Sequence, residues 1–277
     1  MIATPSPRCF EIMTPDRLRI QAREWGTEDG AELLFIHGFS QAGLCWRRQT
    51  QAPELAHLRM VDYDFRGHGG SDKPLDPAFY HPPERWADEL AAVILQAELR
   101  KPVLVGWSYA GRVICDYLSI HGPDKLGGIV FVNAVTRNEK HFYGSSNRLM
   151  RQMCATDLDE NIAGTRAFLR NCFEIMPDQD AFEQLLAANM MVPPQVRAAL
   201  FGRPADFDAM LAQLNLPVTV VQGDRDIVVA PAMAHHIANS IPGARLEMFE
   251  NIGHAPFMEA PEAFNRMLLD FLGAVQR

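Results

Sequence analysis

Short apolar runs alternate with helix-like stretches along the first 134 residues. Continuous apolar runs predict buried strands, and apolar residues at three- and four-residue spacing predict the helices between them. The predicted strands are Leu33–Ile36, Arg59–Tyr63, Pro102–Val105 and Gly128–Asn133. The predicted helices run from Pro83 to about Leu99 and from the Ser108 turn to about Ile120. This alternation is typical of a largely parallel sheet covered by helices.

The pattern changes between residues 135 and 215, where no strand is predicted. Helical blocks are predicted there instead, with a break at Pro193-Pro194, over Asp157–Phe173, Asp180–Met191, Val196–Phe201 and Asp206–Leu214. Strands then resume at Pro217–Gln222 and Arg245–Phe249, with helices at Pro231–Ser240 and Pro261–Val275. We therefore predict one α/β core domain, residues 1–134 and 216–277, interrupted by a helical cap over 135–215.

Composition narrows the class of protein. The 277 residues are 48% hydrophobic and 22% charged, as in ordinary globular enzymes. The formal charge of −8 and the absence of a Lys/Arg stripe argue against a nucleic-acid partner. No apolar run approaches the length that crosses a membrane, and residues 1–12 do not resemble a secretory signal. The five scattered cysteines contain no C-x-x-C pair, which indicates reduced, buried or half-buried thiols in a cytoplasmic protein and no zinc site.

A candidate nucleophile lies in the turn Gly106-Trp-Ser-Tyr-Ala-Gly111, between a predicted strand and a predicted helix. Small residues two positions either side of Ser108, Gly106 and Ala110, suit a strained nucleophile turn, where bulkier side chains would clash with the strand or the helix. The start of the helix also directs its amides towards developing negative charge. The context therefore favours Ser108 as a nucleophile over a buried serine in an ordinary loop.

A serine nucleophile needs a base, an acid that orients the base, and donors for an oxyanion. His254 follows the last predicted strand and satisfies the chain order serine, acid, histidine. Asp224 and Asp226 both follow the strand before it, and we prefer Asp226 because it lies further into the loop. His37 and His68, in glycine-rich turns, are interpreted as structural hydrogen-bonding residues instead.

The predicted oxyanion donors are backbone amides. One belongs to Tyr109, just after the nucleophile, and the other to Phe39, in the loop after the strand Leu33–Ile36. Trp107 and Phe39 flank this site and are predicted to bind substrate. Several apolar residues of the predicted cap could extend the pocket or simply pack the cap: Met150, Met153, Phe168, Phe173, Phe182, Leu185, Met190, Met191, Phe201 and Met210.

Together these motifs resemble the α/β-hydrolase superfamily over almost the whole chain. The resemblance rests on H-G-F at 37–39, D-F-R-G-H-G-G-S at 64–71, V-G-W-S-Y-A-G-R at 105–112, G-D-R-D at 223–226 and I-G-H-A-P at 252–256. It implies the α/β-hydrolase fold, a mostly parallel eight-stranded sheet flanked by helices with an inserted helical cap, and a triad of Ser108, Asp226 and His254.

Within the superfamily, V-G-W-S-Y at 105–109 resembles the cofactor-free haloperoxidase and esterase branch. That branch associates peracid chemistry with a proline at the position of Ser40, and serine at 108 argues against the aspartate-dependent dehalogenases and epoxide hydrolases. The resemblance implies an esterase for small to medium apolar acyl or aromatic esters, or lactones, with no metal or organic cofactor. Two alternatives stay open: a hydrolase of carbon–carbon bonds in diketones, and a small-molecule binding protein derived from a hydrolase. The sequence does not determine the oligomeric state.

Overall fold

The computed structural model describes residues 6–275, and its centre is a single eight-stranded sheet. The strand order is β1-β2-β4-β3-β5-β6-β7-β8. The strands are β1 Arg8–Met13, β2 Arg19–Gly26, β3 Glu32–Ile36, β4 Arg59–Tyr63, β5 Val103–Trp107, β6 Gly128–Val132, β7 Val218–Gly223 and β8 Arg245–Phe249. The strands β3 to β8 are parallel, whereas β2 pairs antiparallel with both β1 and β4. The predicted mostly parallel eight-stranded sheet is confirmed.

The hairpin formed by β1 and β2 is the part of the sheet that the apolar pattern did not predict. Strand β1 lies at the sheet edge, and only Ile12 along it is fully buried. Strand β2 alternates buried residues such as Ile20 and Ala22 with charged ones. These two strands have one solvated face and lack the largely apolar run that marks β4 to β7, which are buried at every position.

Helices cover both faces of the parallel strands and close the core. They are α1 Arg47–Thr50, α2 Pro83–Gln96, α3 Ala110–His121, α4 Leu149–Gln152, α5 Leu158–Asn171, α6 Gln179–Met190, α7 Pro194–Phe201, α8 Asp208–Leu211, α9 Pro231–Ser240, α10 Pro256–Glu259 and α11 Pro261–Val275. Proline at or next to the first helical position begins α2, α7 and α9, since its missing N–H would have no partner there. The one-turn helices α1, α4 and α10 were not predicted, because one turn carries too few apolar repeats.

The β6–β7 segment, residues 133–217, contains α4 to α8 and no strand of the sheet. Helix α5 begins after Asp157 and α6 after Asp178, whose carboxylates each cap an amide in the first turn. The segment is joined to the core by an isolated bridge between Tyr143 and Val229. The division into a core domain and a cap stays a prediction.

All five cysteines are free thiols. Cys45, Cys115 and Cys172 are buried and Cys154 is half-buried, but Cys9 is exposed. The expectation that every thiol is at least half-buried is therefore wrong for Cys9, which lies on the outer edge strand. Across residues 6–275, no helix combines the length and the apolar character needed to span a membrane.

Candidate active site

Ser108 occupies the turn that joins β5 to α3, at the carboxyl end of the sheet. Its φ of 56° lies in the left-handed region, which is strained for a residue with a Cβ. Three backbone hydrogen bonds hold this conformation: Ser108 N–H donates to Val132 O at 2.9 Å, and Ser108 O accepts from the amides of Gly111 and Val135, both at 3.0 Å. The predicted nucleophile therefore sits in a turn fixed from both sides by the chain that leaves β6.

The space around this turn explains why its neighbours are small. A Cβ at Gly106 would overlap Ile114 Cδ1 and would lie 3.2 Å from Ala110 Cβ. A Cβ at Gly38 would lie 3.1 Å from Ser108 Cβ, so the loop after β3 approaches the serine as closely as a residue without a side chain allows. Alanine at 110 fits the turn, since it meets Gly106 rather than a larger side chain.

The predicted base and acid are in direct contact. His254 Nδ1 lies 2.7 Å from Asp226 Oδ2, and both side chains are buried. Asp224, the competing acid, is more exposed and accepts instead from Asn251 N–H in the turn after β8. The structure thus brings Asp226 to His254 and leaves Asp224 outside the site.

Asp226 is held by a set of donors that the sequence analysis did not identify. Its Oδ1 accepts from the amides of Val228 and Val229, at 2.7 and 3.0 Å. Its Oδ2 accepts from Asn133 Nδ2 at 2.7 Å and from Gln222 Nε2 at 3.1 Å. Asn133 directly follows β6 at the carboxyl end of the sheet, and that position was the available signal for a functional role.

The loop that carries His254 is fixed by three neighbours. Its amide donates to Cys172 O at 2.9 Å, and its carbonyl accepts from Trp107 Nε1 at 2.7 Å. Glu259 accepts from Gly253 and Ala255 on either side of the histidine, at 3.1–3.2 Å. The same carboxylate accepts from two amides of the β6–β7 segment, Glu174 and Ile175, at 2.8 Å.

Trp107 supports the predicted base. Its indole packs against His254, with ring centroids 5.3 Å apart, and against Phe257. It is not among the described residues that line the cavity at Ser108. Substrate binding by Trp107 stays a prediction.

The hydroxyl of Ser108 makes no hydrogen bond to His254 in the structure described for residues 6–275. Catalytic hydrogen bonds are often long without substrate and tighten when the reacting complex forms. The two residues are linked through Trp107, which precedes the serine and contacts the imidazole. The loop bearing His254 is thus packed against the strand that ends at the nucleophile.

Two amides are left without partners beside the serine. Within the described chain, the N–H groups of Phe39 and Tyr109 donate to no other residue, and both residues line the cavity that contains Ser108. Unpaired amides next to a nucleophile are suited to stabilise an oxyanion. These are the two amides predicted for that role.

The loop that presents Phe39 is supported by two buried histidines. His68 Nε2 accepts from Ser40 N–H at 3.2 Å, and His37 Nε2 accepts from Phe65 N–H at 3.0 Å. Burial lowers the pKa of His37 to about 4 and, together with the neighbouring His37, the pKa of His68 to about 3. Both rings are therefore neutral near pH 7 and can accept from the backbone. Ser40 itself has a φ of 57°, so this contact holds a second strained residue in the site.

A cavity of about 120 Å³ opens at Ser108 between the sheet and the β6–β7 segment. Most of its wall is apolar, and its remaining lining residues are Phe39, Tyr109, Arg112, Val135, Asn138, Tyr143, Met150, Leu200, Phe201, Val228 and Val229. Of the apolar residues considered for a pocket, Met150 and Phe201 reach this wall, and Phe168 contacts the Phe39 ring edge-on. Met153, Phe173 and Leu185 are buried in the packing of the β6–β7 segment. A larger cleft of about 530 Å³ lies at the opposite end of the strands, beside Glu32 and Pro217, far from this chemistry.

Comparison with known proteins identifies the family. A sequence profile of the alpha/beta hydrolase family matches residues 33–267, which is most of the chain. The chain belongs to the alpha/beta hydrolase family. A solved structure from Burkholderia cenocepacia, provisionally named an aryl esterase, is 36% identical, with a TM-score of 0.94 over 97% of this chain and 99% of its own.

Two further relatives of this hydrolase indicate its branch of the family. The structure of esterase RhEst1 from Rhodococcus sp. ECU1013 is 31% identical, with a TM-score of 0.89 over 96% of this chain and 99% of that one. Non-heme chloroperoxidase CPO-A1 of Kitasatospora aureofaciens is 28% identical over 94% of this chain and 98% of its own length. The resemblance to the cofactor-free haloperoxidase and esterase branch is confirmed.

Proposed function

We propose that this hydrolase cleaves small carboxylic esters through an acyl-enzyme on Ser108. The observation that carries the proposal is the buried contact between His254 Nδ1 and Asp226 Oδ2 behind a serine in a strained turn. An aspartate that accepts from Nδ1 leaves Nε2 as the basic nitrogen of the ring. The similarity to proteins named esterases agrees with this chemistry.

In the proposed reaction, His254 Nε2 takes the proton of the Ser108 hydroxyl while Oγ attacks the ester carbonyl. The amides of Phe39 and Tyr109 donate to the oxyanion that forms. Collapse of the tetrahedral intermediate breaks the bond to the alcohol oxygen, which leaves with the proton from His254. A water molecule, deprotonated by His254, then releases the acid and restores the serine. These steps require no metal or organic cofactor.

The cavity supports the small end of the predicted substrate range. Its volume of about 120 Å³ lies below the range of roughly 300–1,000 Å³ typical of pockets for drug-sized ligands. We therefore expect short acyl groups to be preferred, with the β6–β7 segment acting as a cap over them. The substrate is a small molecule, and a nucleic-acid partner is not part of this proposal.

The test is active-site labelling combined with turnover. A fluorophosphonate should label the wild-type chain at Ser108, and p-nitrophenyl esters should be hydrolysed faster with acetyl and butyryl than with octanoyl groups. Ser108→Ala should abolish both signals, whereas Ser119→Ala, in the helix α3 that follows the serine and away from the cavity, should retain them. Cleavage of a vinylogous diketone without ester turnover would contradict the ester proposal and favour carbon–carbon bond hydrolysis.

A further inference from the structure

The polar end of the Ser108 cavity is built around Arg112. This residue is the third of α3, four positions after the serine in sequence, and only 7% of it is exposed. Its Nη1 donates to Arg203 O at 3.0 Å, and its Nη2 donates to Tyr143 Oη at 2.9 Å and to Asn138 Oδ1. These acceptors are neutral, so none of them balances the charge of the guanidinium.

Arg112 differs in this respect from most buried arginines of the chain. Arg59, Arg66 and Arg203 each form an ion pair with a carboxylate. Among the described residues that are buried, Arg112 and Arg197 have no carboxylate within ion-pair distance. Arg197 is enclosed by carbonyl, amide and hydroxyl groups of the β6–β7 segment and does not line the cavity. Arg112 is therefore the buried cation without a counter-ion that faces the predicted nucleophile.

The surroundings of Arg112 carry excess positive charge. The nearby acid Asp116 pairs with Arg203, so one buried carboxylate serves two guanidinium groups. Burial outweighs the effect of Arg203 and raises the pKa of Asp116 to about 6, so near pH 7 Asp116 carries at most the one negative charge that already pairs with Arg203. Glu84, which also acts on Asp116, lies at the exposed start of α2, where solvent screens it. A buried charge without a partner is costly, and an anionic ligand would remove that cost.

We propose that Arg112 binds a carboxylate on the acyl part of the substrate, so that the enzyme prefers short half-esters of dicarboxylic acids. This inference rests on the proposed esterase function. The cavity wall contains both predicted oxyanion donors, Phe39 and Tyr109, but not His254. Because His254 protonates the leaving alcohol, the alcohol lies on the His254 side and the cavity receives the acyl group. Arg112 then faces the far end of that group.

The size of the cavity limits the length of the acyl chain. Ser108 and Arg112 are four positions apart and line the same cavity, whose volume of about 120 Å³ is small for a ligand pocket. A half-ester of succinate or glutarate therefore matches the site better than a longer one.

The experiment compares charged and uncharged substrates of the same shape. Monomethyl glutarate is paired with methyl 5-methylhexanoate, in which an isopropyl group replaces the carboxylate, and kcat and KM are measured by pH-stat. The wild type should favour the half-ester, and Arg112→Met should lower the ratio of the two kcat/KM values by about 10- to 100-fold, the range of one charge-assisted hydrogen bond. The change should appear mainly in KM for the half-ester. Arg112→Lys should retain part of the preference.

The controls separate substrate recognition from structural damage. Arg197→Met removes the other buried arginine without a counter-ion and should leave the ratio unchanged even if it lowers overall activity. A ratio within about twofold of wild type in Arg112→Met would overturn the inference, as would a wild type that prefers the isopropyl ester. If p-nitrophenyl acetate is not hydrolysed, the proposed function fails instead. In that case glutarate should still raise the Tm of the wild type and not of Arg112→Met, and equal shifts would refute the Arg112 site.

Discussion

Replacing Glu259 by glutamine should reduce turnover by displacing His254. The Glu259 carboxylate accepts from Gly253 and Ala255, which flank the histidine, and from Glu174 and Ile175 in the β6–β7 segment. A glutamine side chain has one oxygen in place of two. If that oxygen keeps the two 2.8 Å contacts to the β6–β7 segment, Gly253 N–H also keeps it as an acceptor at 3.1 Å, whereas the NH₂ group faces the amide of Ala255. The NH₂ group of the glutamine and the backbone N–H that it faces are then both donors, in the loop that carries His254, the predicted base.

The free-energy cost of the substitution follows from the number and burial of the hydrogen bonds that are lost. Leaving one buried donor unpaired costs about 1–3 kcal/mol. Ala255 loses its acceptor, and Gly253 loses one of its two. The two contacts are only half-buried, so solvent relieves part of this cost, and we expect about 2 kcal/mol in total. If the loop moves to relieve it, kcat falls by at most about 30-fold, because each 1.4 kcal/mol corresponds to a factor of ten. The Tm should fall by roughly 4–8 °C for a chain of this size.

The assay measures kcat for p-nitrophenyl acetate alongside the Tm. Glu262→Gln, an exposed acid at the start of α11, is the control and should change neither quantity appreciably. Glu259→Asp keeps both oxygens and should recover part of the lost activity. A Glu259→Gln enzyme with a lowered Tm but wild-type kcat would refute a positioning role for Glu259. Its hydrogen bonds would then contribute to folding without positioning His254.

Three further predictions concern the triad and its support. Asp226→Asn should lower kcat by on the order of 10⁴-fold, the loss known from other serine triads, whereas Asp224→Asn should retain most of the activity. The opposite result would identify Asp224 as the acid that orients His254. Burial lowers the pKa of His68 to about 3 in the folded protein. Between about pH 6.5 and 3 the unfolded chain therefore binds more protons than the folded chain, and the free energy of unfolding falls as the pH falls through that window. Urea midpoints should record that loss, and His68→Gln should reduce its slope by up to about 1.4 kcal/mol per pH unit. Gly106→Ala should destabilise the fold by about 1–3 kcal/mol through overlap with Ile114, and adding Ile114→Val should restore part of the Tm; no restoration would exclude this overlap as the cause.

The largely apolar runs determined the parallel part of the sheet, because most positions of strands buried on both faces are apolar. The predicted strand Pro102–Val105 and the small residues around Ser108 located the nucleophile turn in the same way. Chain order alone indicated His254 after the last strand. These features depend on residues that are close together in the chain, and so they can be predicted from the sequence.

The contacts that complete the site depend on residues far apart in the chain. Asn133 reaches Asp226 across 93 positions, and Glu259 joins the His254 loop to residue 174 across 85. Nothing in the sequence around Asn133 or Glu259 indicates these contacts. The contact of Trp107 with His254 was also not predictable, because the position of Trp107 beside Ser108 in the sequence does not show which way its ring points.

The sequence by itself determined the parallel strands of the sheet, the order of the predicted triad and the position of the strained serine. Tertiary structure decided which acid meets His254, which amides lack partners, and that Arg112 faces the cavity without a counter-ion. The physical reason is that backbone patterns are set by local periodicity and burial, whereas charge balance and unpaired donors are properties of the space between elements. That space exists only once the β6–β7 segment has packed over the sheet.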